Sequence, residues 1–245
     1  TWPSGAVTRL SPFLSDRHFH GRGVMVLQFA AGDRVVYKPK GLAAEEAYYR
    51  FLEWCNRHEP PLPFQLLQAV DRGTHGWVEF VDGLPCAAEA AVRRYYTRAG
   101  MFLALAYALE ATDCHYENII ACGEHPMLVD LETLMHGRPR PDAGQIEGAH
   151  ELANRQMQDS VLRTAFLPRW DFGPNGESYD ISGLAGGGGM TTPFQVSAWR
   201  EVNTDAMTMT AEPLKPQGDG NAPLLDGRRV DYTASIPELL AGFTA

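Results

Sequence analysis

Cysteine is scarce in this chain, and its placement excludes more than its number does. Cys55, Cys86, Cys114 and Cys122 include no C-x-x-C pair and lie in apolar or helix-like contexts. That argues against a zinc site and for reduced thiols in a cytoplasmic protein. Long hydrophobic runs are missing as well: no stretch approaches the ~18 apolar residues that a membrane span needs, and the opening TWPSGAV has no charged-then-apolar signal pattern. Positive charge is in deficit, with 21 Lys and Arg against 30 Asp and Glu for a formal net charge of −9. The cations are spread along the chain and form no basic stripe, so nucleic acid is not an expected partner. A polyphosphate partner would need local cations or metal ions. Internal repeats are absent too.

What is present suits a sizeable globular body. The 245 residues, 44% of them hydrophobic, suffice for one large domain or for two lobes sharing a cleft. The chain starts without Met and ends at Leu240–Ala245 within a helix-like pattern, so a piece of something longer is expected. Residues 1–82 read as strand, strand, helix, strand, strand. VMVLQF (24–29) and RVVYK (34–38) flank an Ala-Gly-Asp turn as a hairpin. AAEEAYYRFLEWCNR (43–57) has helical spacing, with Pro60-Pro61 as its stop, and strands are expected at 64–70 and 76–81. Residues 83–245 turn towards helix. The pattern at 87–110 is apolar nearly all round in its second half and predicts a central buried helix. Short strands are expected at 119–122 and 127–130, and helix again at 146–167. From Pro168 the text is Gly-, Pro- and Thr-rich, including a four-glycine run at 186–189, and the helical period fades.

Between the long helix and the last expected strand lies the stretch that carries chemistry. D-C-H-Y-E-N occupies 113–118, and V-D-L-E-T follows at 129–133. Transfer of the γ-phosphoryl group of ATP needs a lysine on the donor phosphates, one or two divalent ions held by an aspartate and an asparagine, and an acid near the acceptor hydroxyl. Lys38, at the end of a strand, fits the first need. Asp113 precedes Asn118 by five residues, as in a kinase catalytic loop, and Asp130 follows an apolar triplet at a strand end, where it and Asn118 can converge on Mg²⁺. The order strand-Lys, helix, strands, buried helix, D-x-H-x-x-N, strand-Asp predicts an α+β, bilobal, lipid-kinase-like fold. Its expected parts are a small antiparallel β-rich N-lobe at 1–82 and a mostly helical, partial C-lobe at 83–245.

The phrases SDRHFHGRGV (15–24), VVYKPK (35–40), GWVEFV (76–81), ATDCHYENIIACGEHP (111–126) and LVDLETL (128–134) resemble the dehydratase domain of class II lanthipeptide synthetases, the LanM enzymes. The likeness runs from about Leu10 to Phe243. It implies an enzyme that uses ATP and Mg²⁺ to phosphorylate Ser and Thr of a precursor peptide and then eliminates the phosphate, leaving dehydroalanine or dehydrobutyrine. In that family a separate C-terminal zinc-dependent cyclase domain forms the thioether rings.

By that resemblance the phosphorylation residues are Asp16, His18, Lys38, Asp113, His115, Asn118 and Asp130. Asp113 is suited to accept or orient the hydroxyl proton, and His115 to donate a hydrogen bond to the transferring group. Gly21 and Gly23 suit a turn covering the nucleotide, and Glu79-Phe80-Val81 suits the lobe connection that offers main-chain groups to adenine. Glu45, Glu46 and Glu53 are all candidates to pair with Lys38. The family's elimination pair, R-x-x-x-x-x-T, is expected beyond Ala245, since Arg163-Thr164 and Arg228 to Thr233 lack that spacing.

Taken singly, each residue has a plainer reading: Lys38 as a solvated strand-edge lysine, Asp113 as a loop acid, His115 packed on Tyr116, Asp16 as a turn cap, and Gly21 and Gly23 as a turn. Two other functions compete, a small-molecule or lipid phosphotransferase and a non-catalytic kinase-like module that binds peptide. The intact Asn118 and Asp130 weigh against the second.

Overall fold

The first sheet grows from β-branched residues, with at least one valine in every strand. In the computed structural model, which describes residues 2–12, 22–135, 148–173, 176–187, 192–213 and 220–245, strands β1 (Val7–Ser11), β2 (Met25–Phe29) and β3 (Arg34–Lys38) are joined in sequence order. Helix α1 (Ala43–Arg57) follows, and then β4 (Ala69–Asp71) and β5 (Gly76–Glu79). The sheet is antiparallel throughout, in the order β1-β2-β3-β5-β4. Register places Val26, Val36 and Val78 on one face, and Lys38 opposite Gly76 shares that face two residues on. Gly76 is required there: a Cβ would lie 2.4 Å from the Leu42 side chain. Leu42, fully buried, therefore seats the start of α1 against the sheet end that carries Lys38.

Helix α1 has no cap of its own, and the β4–β5 turn supplies one. Asp71 Oδ1 accepts the Leu42 amide at 2.9 Å and the Gly73 amide at 2.9 Å, while Glu46 Oε1 accepts the Asp71 amide at 2.9 Å. These amides hold the Asp71 carboxyl below its usual range, chiefly that of Leu42. The strand expected to start at Phe64 starts only at Ala69. Asn56 explains this by taking both main-chain groups of Phe64, donating to its carbonyl at 2.9 Å and accepting its amide at 2.7 Å.

The chain divides into two compact units, Thr1–Asp82 with Ala245, and Gly83–Thr244. The second is organised on α2 (Glu89–Ala108), which buries Tyr95, Tyr96, Ala99, Phe102, Leu103 and Ala106. Among the described residues the other elements are β6 (Ile119–Cys122), β7 (His125–Leu128), α3 (Ala149–Gln158), β8 (Asp171–Phe172), β9 (Ser178–Tyr179), β10 (Gln195–Arg200), β11 (Thr208–Pro213), β12 (Leu224–Leu225), β13 (Arg228–Arg229) and α4 (Ile236–Thr244). The overall class is α+β with small antiparallel sheets. The expectation of a mostly helical second half is corrected, because its described residues also form four two-stranded ladders. The helix expected over 146–167 ends at Gln158. Ser160 Oγ then accepts the Leu162 amide at 3.2 Å and starts a separate 3-10 helix, Val161–Thr164, which stops at Ala165 in the left-handed region. No helix among the described residues is long and apolar enough to cross a membrane.

Two contacts fix what surrounds α2. Gly100 and Gly242 let α2 and α4 touch backbone to backbone, and a Cβ on Gly100 would sit 2.0 Å from the Leu239 carbonyl oxygen. Gly100→Ala is expected to destabilise the protein by about 1–3 kcal/mol through overpacking, read as a lower urea midpoint. Glu124, in the β6–β7 turn, accepts from Arg94 at 2.7 Å and from buried Arg98 at 2.9 Å. The Arg94 hydrogen bond first, then Arg98, holds its carboxyl down at about 2, below an ordinary 4.5. A depressed carboxyl stabilises the fold above its ordinary value and loses that contribution as the pH falls towards 2. Glu124→Gln should therefore cost about 1–3 kcal/mol at pH 7 and progressively less below pH 4, measured by thermal melts across pH.

Candidate active site

The D-C-H-Y-E-N loop is shaped by its alternate residues. Helix α2 gives way to Glu110 in the left-handed conformation, and the chain then runs extended. The Cys114 amide donates to the Thr164 carbonyl at 2.8 Å, and the Tyr116 amide to the Ile181 carbonyl at 3.1 Å. Both side chains are buried, and burial pushes the Cys114 thiol up to about 12, so it serves as packing. Asp113 and His115 are left more accessible, with side chains 50% and 20% exposed.

The three polar residues of the loop then lock together. His115 Nδ1 accepts the Glu117 amide at 3.2 Å, which places the proton of the neutral ring on Nε2. That nitrogen lies 3.5 Å from Asp113 Oδ1. Asn118 Nδ2 donates to the Asp113 carbonyl at 2.9 Å and to Asp113 Oδ2 at 3.3 Å. Each Asp113 carboxylate oxygen thus faces one neighbour. Because the Asn118 amide nitrogen is turned to Asp113, its Oδ1 remains as an oxygen donor without a hydrogen bond among the described residues.

Asp130 comes to the same end of the β6–β7 hairpin. It does not end a strand as expected: β7 stops at Leu128, although the Val129 amide carries the β6–β7 register one pair further by donating to the Asn118 carbonyl at 2.9 Å. Asp130 Oδ1 accepts the Glu132 amide at 3.2 Å in an Asx-type turn. A carboxylate and an amide oxygen brought together in this way are hard donors that fit Mg²⁺, an ion that keeps most of its coordination for water and phosphate. Among the described residues no group of three or more His, Cys, Asp or Glu could hold a metal.

In the first unit, Lys38 is buried rather than a solvated edge residue. Its Nζ lies 3.4 Å from Glu45 Oε1, and Lys40 Nζ lies 3.8 Å from the same oxygen. Glu45 is therefore the helix glutamate of the pair. Glu46 is committed to the Asp71 amide, and Glu53 to Arg57 on the exposed face. The sequence held a sign of this, because Glu45 sits on the buried stripe of α1 with Tyr48, Tyr49 and Leu52. Glu79 pairs with Val35 in the sheet, and its amide donates to the Gln68 carbonyl at 2.9 Å. Phe80 carries the Arg34 guanidinium over its ring at 4.1 Å. Among the described residues neither Phe80 nor Val81 makes a main-chain hydrogen bond, so their backbone groups are available to a ligand edge. Gly23 is buried just ahead of β2, and Asp16, His18 and Gly21 lie outside the described residues.

The family described as a domain of unknown function, DUF4135, matches residues 1–245, and the chain belongs to it. It is also 34% identical over 143 residues to the lacticin 481/lactococcin biosynthesis protein LcnDR2 of Lactococcus lactis subsp. lactis. That match covers 55% of this chain and 15% of the relative's length. Both findings bear out the relationship to the class II lanthipeptide synthetases drawn from the motifs.

The choice of Glu45 is testable on stability alone. Glu45→Gln leaves buried Lys38 without its carboxylate and is expected to cost about 1–3 kcal/mol in urea unfolding. Glu53→Gln, at an exposed i,i+4 pair, should move the midpoint by less than about 0.5 kcal/mol.

Proposed function

With that membership as premise, we propose that the chain phosphorylates Ser and Thr of a lanthipeptide precursor from ATP, the first half of their dehydration to dehydroalanine and dehydrobutyrine. The observation that carries this reading is the constellation of Asp113, His115 and Asn118, tied to Asp130 by the Val129–Asn118 hydrogen bond. The buried Lys38–Glu45 pair on an antiparallel sheet supports a bilobal, lipid-kinase-like architecture for the two units.

Each residue then has a task. Asp113 orients the acceptor hydroxyl and takes its proton as the phosphate ester forms and the phosphoanhydride breaks. His115, with its Nε2 proton turned to Asp113, keeps that carboxylate aimed, and can turn the same proton to the transferring group. Asn118 Oδ1 and Asp130 would hold Mg²⁺, which when bound neutralises charge on the phosphates. Lys38, oriented by Glu45, presents an ammonium to the donor phosphates. Asp16, His18, Gly21 and Gly23 are assigned to the segment that covers the nucleotide, and the main chain at Phe80–Val81 to the adenine edge, since the Glu79 main chain is already paired within the sheet. The precursor's leader and core peptide are the partner; elimination and zinc-dependent cyclisation belong to other parts of the longer synthetases.

Radiolabelled ATP offered with a Ser/Thr-rich precursor peptide and, separately, with small hydroxyl acceptors tests the reading. Label is expected on the peptide, and Asp130→Asn should lower it by about a hundredfold or more. Labelling of the small acceptors alone would indicate a small-molecule phosphotransferase, and absence of any Mg²⁺-dependent labelling would leave a peptide-binding module.

A further inference from the structure

A buried network in the second unit has no part in the roles assigned above. Asn221, 1% exposed, donates from Nδ2 to the carbonyls of Gly183 and Gly186, both at 2.8 Å. Arg229, in β13, donates from Nη1 to Asn221 Oδ1 at 3.3 Å. Its Nη2 reaches the carbonyls of Leu184, Ala185 and Gly186 at 3.3, 3.4 and 3.1 Å. Two side chains from the end of the chain thus gather the carbonyls of residues 183–186. Tyr95 of α2 holds the clamp from behind, its hydroxyl donating to the Asn221 carbonyl at 2.6 Å.

The other edge of this strap is the chemistry-bearing loop. Tyr116 donates its amide to Ile181, and His115 and Ser182 form an antiparallel bridge. A Cβ on Gly183 would lie 2.4 Å from the Cys114 carbonyl oxygen. Gly183 and Leu184 donate their amides to Ala165 and Phe166 at 3.0 Å each, and buried Asp180 closes the strap's start by accepting the Ser182 amide at 2.8 Å. A turn of peptide carbonyls at the surface is ordinarily solvated by water. Here it is bound by a planar guanidinium and an amide, which can fix several carbonyls at once, as a lysine point charge cannot.

We propose that Asn221 and Arg229 are positioning residues for phosphoryl transfer. By clamping carbonyls 183–186 they hold the strap against Cys114–Tyr116 and thereby set the His115 ring on the Asp113 carboxylate. The His115–Asp113 separation of 3.5 Å is already at the long end of a hydrogen bond, so a small backward shift of the loop breaks it. This role rests on the proposed kinase reading, whereas the clamp itself does not.

The test compares Arg229→Ala, Arg229→Lys and Asn221→Ala with Arg228→Ala, an exposed neighbour, by backbone hydrogen exchange and by phosphorylation kinetics on precursor peptide. In the Arg229 variants the Tyr116 and Gly183 amides should exchange about tenfold faster while amides inside α2 hold. The kcat should fall about tenfold or more with the KM for ATP within about twofold. Arg228→Ala should change none of these. Exchange that is unchanged, or faster throughout the unit, overturns the clamp. Local loosening with kcat intact overturns the positioning role. A wild-type chain that transfers no phosphate to peptide sinks the kinase reading and the positioning role with it, while the exchange pattern still decides the clamp.

Discussion

The D-C-H-Y-E-N loop keeps its shape because every second amide in it is hydrogen-bonded, two to other segments and one within the loop. Cys114 donates to Thr164, Tyr116 to Ile181 and Asn118 to His115. An extended chain pinned at alternate residues must present the intervening side chains together. Asp113 and His115 are those side chains, and the Asn118 amide closes the group from one end. Beyond one 3-10 turn at Tyr116–Asn118, the loop's geometry is set by the 3-10 helix before Ala165, by the strap at 180–186 and by the β6–β7 hairpin. Electrostatics add to this arrangement but could not create it, since the His115–Asp113 contact is half exposed and weak by itself.

In the first unit the governing problem is how an acidic chain keeps a buried cation. Lys38 is nearly buried, so its charge needs a carboxylate partner held beside it. Glu45 is fixed because α1 is seated by Leu42 over Gly76 and capped by Asp71. Lys40 brings a second cation near the same carboxylate in a chain of net charge −9. Burial of Tyr49 beside Glu45 and Glu79 raises its hydroxyl pKa above the ordinary range, so this neighbour stays neutral.

Much of the scaffold was legible because its causes are local. The fifteen-residue periodic stretch Ala43–Arg57 is a helix with those bounds, and the β2–β3 hairpin follows its Ala-Gly-Asp turn. What could not be read depends on partners far along the chain. The main chain of Phe64 is captured by Asn56, and β1 pairs with β2 despite a polar, exposed pattern. The site divides in the same way. The spacing of Asp113, His115 and Asn118 was visible, whereas Glu45 could not be chosen from three acids until the buried face of α1 was known. The Asn221–Arg229 clamp joins residues more than thirty positions from the strap and leaves no periodic trace.

The last third of the chain raises a different question, since its ladders are too short to stand alone: β8–β9 and β12–β13 have two residues per strand. Around β12–β13 the answer lies in α2. Tyr95 and Tyr96 are consecutive, so they leave the helix about 100° apart and reach two separate segments. One hydroxyl holds the Asn221 carbonyl and the other the Val230 carbonyl, both at 2.6 Å, on either side of the β12–β13 hairpin. Four residues after Tyr96, Gly100 admits α4 to backbone contact. The helix that ends at the chemistry-bearing loop is therefore the same one that fixes the strap's clamp. Displacing α2 relative to either partner would disturb Asp113 from two directions, through the loop directly and through Asn221, Gly183 and Cys114.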